Sequence, residues 1–150
     1  MNAYWLDESQ STISAEALRA EGVLYDNLPT DPAAFQEPLD ELKERNGYVT
    51  QDEVALKPDM PNLKEICDKF IDEHHHTEDE VRFVLAGAGV FDIRSGDDRW
   101  MRIEVSKGDL IVVPRKRNHR FFLTDEKMIH CVRLFQDPTG WVAHYREKAA

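Results

Sequence analysis

The second half of the chain is a series of short apolar segments separated by turn-forming residues. From about residue 80 onward, "RWMRIEV", "DLIVVP", "HRFFL" and "KMIHCVRLF" alternate with "SGDD", "SKGD", "RKRN" and "TDE". Short strands at near-regular spacing are typical of an antiparallel sandwich or barrel. The preceding segment, "EVRFVLAGAGVFDIR", alternates and is then interrupted at Gly87 and Gly89, which predicts a hairpin. We therefore expect a β-rich fold.

The first half of the chain has a mixed pattern that predicts helices. Ser14 is a candidate N-cap for a first helix, and Gly22 is a candidate stop. In a second helix, Pro38 is expected in the first turn and Asn46-Gly47 at the end. A third helix is predicted in "NLKEICDKFIDE", where apolar residues recur at helical spacing. This third helix would run directly into a cluster of histidines.

Length, charge and cysteine content limit the organisation and the partners. The 150 residues suit one domain, with a partly helical region over about 1–72 and a barrel core over about 73–145. The formal net charge of −10 argues against nucleic acid and anionic membranes as partners. No segment approaches the roughly 20 apolar residues of a membrane helix, and the start lacks a signal-peptide pattern. Cys67 and Cys131 form no CxxC pair and are interpreted as reduced thiols of a cytoplasmic protein.

The segment "DEHHHTEDEVRF" contains three of the six histidines of the chain. On an extended chain, residues two apart share a face. His74 and His76 therefore point to one side and His75 points to the other. Glu80 and Arg82 have the parity of the first pair, whereas the residues that alternate with them are apolar. The spacing H-x-H-x3-E is what a mononuclear metal site on a strand would use, and it makes His75 a bystander.

The residue types narrow the choice of metal. Neutral imidazole suits zinc, copper, iron and nickel, a carboxylate adds hard oxygen character, and the lack of thiolates argues against a cysteine-rich structural zinc site. The candidates for a further ligand are His119, His130 and His144. His119 follows a strand and a tight turn, a position that can point back into a barrel. His130 lies in an apolar strand, where a histidine is usually a satisfied core residue, and His144 is interpreted as a surface residue. Taken alone, the acidic histidine segment could also be a solvated loop, although this is the less favoured interpretation.

Two elements of the sequence recur in a known order. The first is H-x-H-x3-E, followed after six residues by Gly87, and the second is Gly108, five residues, Pro114, four residues and His119. Together they resemble the two motifs of the cupin superfamily, a small jelly-roll β-barrel that holds a metal inside. The general second motif has a glycine two residues after the proline, where this chain has Lys116. That departure concerns the turn and not the ligand.

Within the cupins, the sequence is similar to one family in particular. "KFIDEHHHTEDEVRFVLAGAGVFDIR" resembles the signature of the acireductone dioxygenases, and "GDLIVVPRKRNHRF" and "VRLFQDPTGWVAHY" resemble their second motif and closing stretch. The resemblance runs from about Glu53 to Tyr145. It implies a cupin-type jelly-roll β-barrel with flanking N-terminal helices and one Fe(II) or Ni(II) per chain. The metal ligands that it implies are His74, His76, Glu80 and His119.

The resemblance also implies an activity. Members of the family act in methionine salvage and oxidise the enediol 1,2-dihydroxy-3-keto-5-methylthiopentene with O2. With Fe(II) the products are formate and 4-methylthio-2-oxobutanoate, whereas with Ni(II) they are carbon monoxide, formate and 3-methylthiopropanoate. The chain is accordingly expected to be a monomeric, cytoplasmic enzyme whose partners are this small substrate and O2.

Roles for further residues follow from matching positions. Arg82 is implied to stabilise the substrate dianion, which suits a permanently charged guanidinium. Glu73 and Asp79, which precede ligands, are linked in the family to metal loading and to conformational signalling. Arg133, on the inward row of its strand, is a second candidate for substrate contact. The side chains that could wall an apolar pocket for the methylthio group, with plain core packing as the alternative, are Phe70, Phe121 and Trp141.

Two other functions remain open from the sequence. The chain could be another cupin dioxygenase, acting on a different enediol, thiol or catechol-like compound. It could also be a non-enzymatic cupin that binds a metal or a small ligand. Arg82 and the sequence motif E-H-x-H-x-x-D-E-V-R argue against a cupin dioxygenase with a different substrate. Metal analysis with spectroscopy of the substrate-bound protein would separate the second from a catalytic site.

Overall fold

A computed structural model describes residues 2–7, 9–76 and 78–136 and the backbone of 144–145. The helices in this part of the chain are α1 (Ala15–Ala20), α2 (Pro32–Asn46) and α3 (Leu63–Ile71). The strands are β1 (Asn2–Trp5), β2 (Leu24–Asn27), β3 (Thr50–Leu56), β4 (His74–His75), β5 (Glu80–Arg94), β6 (Trp100–Ser106), β7 (Asp109–Val113), β8 (His119–Leu123), β9 (Ile129–Phe135) and β10 (His144–Tyr145). The four short strands predicted after residue 99 are confirmed as β6 to β9.

Two antiparallel sheets share the long strand β5 and curl into a barrel. The histidine sheet has the order β1-β6-β5-β8-β4-β10 and uses the second half of β5. The helix-covered sheet has the order β2-β7-β5-β9-β3 and uses the first half of β5. This β-rich, curled antiparallel architecture is the one that the sequence predicts.

The predicted hairpin at "LAGAG" is wrong, because β5 continues unbroken from Glu80 to Arg94. The strand is bent at this point instead of reversed, with a register shift between Val84 and Ala86. Gly87 has a φ of +79°, and a Cβ at this position would lie 2.2 Å from the backbone oxygen of Met128. Glycine is therefore required for a bulge that passes β5 from one sheet to the other.

Strand parity separates two apolar cores. Val81 and Phe83 point out of the barrel and pack with Phe35 and Leu39 of α2, which covers that sheet. The barrel interior is a second cluster contributed by both sheets, with Phe91, Ile93, Met101, Ile103, Ile111 and Phe121 among its buried members. Glu80 and Arg82, which alternate with Val81 and Phe83 along β5, face this interior.

Helix α2 differs from its prediction at its start. It begins at Pro32, where the side chain of Asp31 accepts a hydrogen bond from the backbone N–H of Ala33 at 3.1 Å. An aspartate cap followed by proline is a strong start signal, so Pro38 lies inside the helix and the predicted first turn at this residue is wrong. The end is confirmed, since Gly47 adopts the left-handed conformation after the last helical residue.

The other two helices follow their predictions. The Ser14 hydroxyl accepts a hydrogen bond from the N–H of Ala17 at 3.1 Å and caps α1. Along α3, Leu63, Ile66 and Phe70 pack against the core of the barrel. This helix contacts β8 and ends three residues before the first histidine of the cluster. Within the described residues, no helix is long and apolar enough to cross a membrane.

Candidate metal centre

Three histidines meet inside the barrel. His74 on β4 is paired directly with His119 on β8, and His76 follows β4 immediately. One ring nitrogen of each side chain lies within 4.8 Å of the others, and all three residues are buried. The ring centroids are 4.5 Å apart for His74 and His119 and 5.1 Å apart for each of the other two pairs. His119, 43 to 45 positions further along the sequence, thus joins His74 and His76 in one cluster.

Backbone carbonyls fix the tautomers of two of these rings. The Nδ1 of His74 lies 2.7 Å from the carbonyl oxygen of Asp72, and the Nδ1 of His119 lies 3.0 Å from that of Arg117. A carbonyl only accepts, so each Nδ1 carries the proton and each Nε2 keeps a lone pair. Such second contacts are typical of metal-bound histidines.

The inward-facing nitrogens suit a cation. The Nε2 of His119 is buried and has no hydrogen-bond partner among the described residues. An acceptor left without a partner in a dry site is unfavourable, and a bound metal ion would satisfy it. Burial lowers the pKa of His74 by more than the hydrogen bond to Asp72 raises it, and the nearby His119 lowers it further. His74 is therefore neutral near pH 7, as a metal ligand must be.

Glu80 lies against the histidine cluster at the start of β5. Its Oε1 is 3.3 Å from Nε2 of His76, and its Oε2 is 3.7 Å from Nε2 of His119. Burial raises the pKa of this carboxyl, but the positive charge of Arg82 and the adjacent rings of His119 and His76 hold it well below its usual range. The site therefore combines three clustered imidazoles with one buried, ionised carboxylate, a donor set that suits a divalent transition-metal ion.

Arg82 occupies the interior next to this carboxylate. Its Nε is 3.6 Å from Oε2 of Glu80, and its side chain is almost fully buried. The guanidinium carbon lies 5.6 Å from the ring centroid of Phe121 and 5.9 Å from that of Phe70. Two of the three predicted pocket aromatics are thus adjacent to Arg82, whereas the third, Trp141, lies outside the described residues.

The acids that flank the ligands bind other parts of the chain. The Glu73 carboxylate accepts two hydrogen bonds from Arg94, each of 3.2 Å. Asp79 accepts one from the Tyr48 hydroxyl at 2.9 Å and one from the backbone N–H of Arg115 at 3.0 Å. Both acids therefore anchor the histidine segment. Their partners were missed from the sequence, because no local pattern links residues so far apart.

The turn before His119 resolves the question raised by Lys116. This residue has a φ of +62°, the left-handed conformation that a glycine adopts readily. Its backbone N–H donates to the carbonyl oxygen of His76 at 2.7 Å. The turn of the second motif thus keeps its shape without glycine and connects the two segments that carry the histidines.

The remaining candidates lie elsewhere. His75 is outside the histidine cluster. Arg133 is paired with Arg82 across the sheet, but its guanidinium donates to both oxygens of Asp52 at 2.8 and 2.6 Å. The interpretation of His130 as a core residue is wrong, because 39% of its side chain is exposed. The face of β9 that carries His130 is partly open to solvent there, and the ring pairs with Glu53 at 3.1 Å. The side chain of His144 lies outside the described residues.

A curled antiparallel barrel with a buried histidine triad on its inner surface defines a metal-binding protein of the cupin class. The sequence model described as the ARD/ARD′ family matches residues 6–143. The chain therefore belongs to the ARD/ARD′ family.

Known proteins of this family resemble the chain over nearly its whole length. An acireductone dioxygenase of Dictyostelium discoideum is 40% identical, covering 95% of this chain and 97% of the relative. One from Gallus gallus is 36% identical, covering 97% and 88%. The solved structure of an acireductone dioxygenase from Bacillus anthracis with a cadmium ion in its active centre matches with a TM-score of 0.89 and 31% identity, covering 96% and 97%.

Proposed function

We propose that this chain is an acireductone dioxygenase, a metal-dependent oxidoreductase of methionine salvage. Its substrate is 1,2-dihydroxy-3-keto-5-methylthiopentene, which it cleaves with O2. The observation that carries this proposal is the buried cluster of His74, His76 and His119, in a chain whose relatives over nearly its whole length are acireductone dioxygenases.

The proposed metal ligands are the three clustered histidines together with Glu80, and the proposed metal is one Fe(II) or Ni(II) per chain. Two observations support this assignment: Nε2 of His119 has no hydrogen-bond partner within the described residues, and the buried Glu80 carboxylate is ionised. When bound, such an ion supplies a Lewis acid that stabilises the anionic oxygens of the substrate. The protein contributes a rigid donor set, because backbone carbonyls orient His74 and His119.

Arg82 is proposed to bind the deprotonated enediol. A guanidinium stays charged when buried and offers a planar set of donors. In a site from which water is excluded, its attraction for an anionic substrate is much stronger than at the surface. Phe70 and Phe121 flank it, which supports an apolar pocket wall, and Trp141 remains a prediction for the same pocket.

Several finer assignments are also proposals. Glu73 is proposed to act in metal loading and Asp79 in conformational signalling, since each carboxylate is bonded to a distant part of the chain. Arg133 is proposed as a second substrate contact, because it shares a sheet face with Arg82. A monomeric state, a cytoplasmic location and a single domain over 1–150 complete the proposal.

Product analysis tests the function. Metal-free protein is loaded with Fe(II) or with Ni(II) and given the acireductone and O2. With Fe(II) we expect formate and 4-methylthio-2-oxobutanoate, and with Ni(II) we expect carbon monoxide, formate and 3-methylthiopropanoate. The control is the spontaneous oxidation of the substrate in buffer with the same metal. Oxidation at that spontaneous rate in the presence of metal-loaded protein would refute the proposal.

Substitution of Arg82 tests its role separately. Arg82→Ala is expected to keep its metal and to lower kcat/KM by about 100-fold or more, because a buried charge that stabilises the reacting anion is lost. Metal content is measured by elemental analysis and turnover by O2 uptake. Normal turnover in this variant would remove Arg82 from the mechanism.

A further inference from the structure

The missing side chain of Gly89 makes room for an aromatic ring. A Cβ at this position would lie 2.6 Å from Cε2 and 2.8 Å from Cζ of Phe121, and 3.1 Å from Cδ1 of Ile129. Gly89 is paired with Leu123 and Phe91 with Phe121, so Gly89 and Phe121 are diagonal neighbours on one sheet face. The Phe121 ring therefore fills the space that any larger residue at position 89 would need.

The need for space is the reason for glycine here. The backbone of Gly89 lies outside the left-handed region, unlike that of Gly87 with its φ of +79°. Alanine is therefore conformationally permitted at position 89, and the main obstacle to it is the contact with the ring, with the end of the flexible Ile129 side chain as a lesser one. To reach the 3.4 Å at which ordinary contact begins, the ring edge would have to move by about 0.8 Å.

The ring cannot move without disturbing the proposed substrate site. Phe121 is 4% exposed, so a displaced ring has no solvent to enter. Its centroid lies 5.6 Å from the guanidinium carbon of Arg82. The centroids of its aromatic neighbours lie 6.1 Å away for Phe70 and 4.9 Å away for Phe91. In a close-packed interior, a shift away from Gly89 is passed to these neighbours.

We propose that Gly89 is a positioning residue of this enzyme. The space above Gly89 fixes the Phe121 ring, and the ring fixes the guanidinium of Arg82 with respect to the substrate. The inference rests on the proposed function, because it takes Arg82 to be the group that binds the anionic substrate. It adds a residue that is neither a proposed metal ligand nor a proposed substrate contact.

The test compares two glycine-to-alanine substitutions in the full-length, Fe(II)-loaded protein. Gly89→Ala is expected to lower kcat/KM about tenfold with unchanged metal content, since misplacing a binding group by a fraction of an ångström is costly. Gly96→Ala is the matched control, because Oε2 of Glu21, at 3.7 Å, is the nearest atom that its Cβ would meet in the described part of the chain. The control is expected to change kcat/KM by less than about twofold.

Two further backgrounds separate positioning from a general packing defect. If the effect passes through the ring, Gly89→Ala should cost less than about twofold in a Phe121→Leu protein. If it ends at the guanidinium, it should cost equally little in an Arg82→Ala protein. A loss of the same size in all three backgrounds would overturn the inference, and so would no loss at all.

Urea unfolding provides a second measurement for the case in which the activity data alone do not decide. The urea midpoints of the same proteins report the contact between Gly89 and Phe121 without any substrate. If the wild-type protein is inactive, the proposed function is refuted, and the contact can still be measured in this way. An insoluble Gly89→Ala protein that becomes soluble on adding Phe121→Leu supports the inference. A double variant that stays insoluble while Phe121→Leu alone folds would overturn it, because the methyl group would then be blocked by another group.

Discussion

Removal of the Asp79 carboxylate should loosen the two ligand-bearing segments at once. Asp79 accepts hydrogen bonds from the Tyr48 hydroxyl at 2.9 Å and from the backbone N–H of Arg115 at 3.0 Å. Tyr48 is 3% exposed, so its hydroxyl has little access to replacement water. The Asp79 carboxylate thus joins the segment before Glu80 to the turn before His119.

The magnitude follows from these contacts. Hydrogen bonds to a charged group contribute about 1.5–3 kcal/mol each. The Arg115 side chain, 3.6 Å away and 52% exposed, adds little. Because water can reach the partly exposed carboxylate, we expect Asp79→Ala to lower the free energy of unfolding by about 3 kcal/mol in total. For a chain of this length that corresponds to a fall in Tm of about 6–12 °C.

The assay is urea denaturation of the metal-free protein, with the Tyr48→Phe protein as the second arm of a double-mutant cycle. We expect Tyr48→Phe to cost about 1 kcal/mol, and Asp79→Ala to cost about 1.5 kcal/mol less in that background than in the wild type. Asp79→Asn, which keeps one acceptor oxygen, should fall in between. Metal affinity of Asp79→Ala should drop about 10- to 100-fold. Additive effects of the two substitutions, or a destabilisation below about 1 kcal/mol, would refute the reasoning.

Three further predictions follow from the site and its surroundings. His75→Ala should keep its metal while His74→Ala loses it, as elemental analysis after dialysis will show; the reverse result would contradict the parity argument. Lys116→Gly should raise the free energy of unfolding by about 0.5–1 kcal/mol, because it relieves a left-handed backbone. Lys107→Gly, at a turn position without positive φ, should lower it, and equal effects of the two glycines would argue against strain. Burial raises the pKa of Tyr48, and Asp79 raises it further. The folded state therefore keeps the Tyr48 hydroxyl proton above about pH 10, whereas the unfolded state releases it. The free energy of unfolding should consequently fall by up to about 1.4 kcal/mol for each pH unit above that value. Tyr48→Phe should flatten this alkaline decline in urea titrations, and an unchanged slope would show that Tyr48 does not cause it.

The sequence predicts those parts of the site whose geometry depends only on neighbouring residues in the chain. Strand parity depends only on the backbone, so it separates His74 and His76 from His75 without knowledge of the fold. It also groups Glu80 with the first two, although the strand is interrupted after His75 and begins again at Glu80. The cap at Ser14 is local in the same sense.

The features that escape prediction depend on partners far away in the sequence. The glycines in β5 resemble turn residues, and only the packing of Met128 and Phe121 against them reveals a bend and a close approach. Strands β1 to β3 lie in the half for which the sequence predicts a mixed, partly helical structure, and they are held by neighbours 70 residues or more away. Arg94, which binds the carboxylate of Glu73, carries no sequence signal of that contact.

Strand β5 also determines how the protein can open. Its first half is bonded on both sides, to β7 and β9, and its second half to β6 and β8. We therefore expect hydrogen exchange at the central amides of this strand to be slow, because exposing them requires the sheets to open, and Glu80 lies at one end of the same strand.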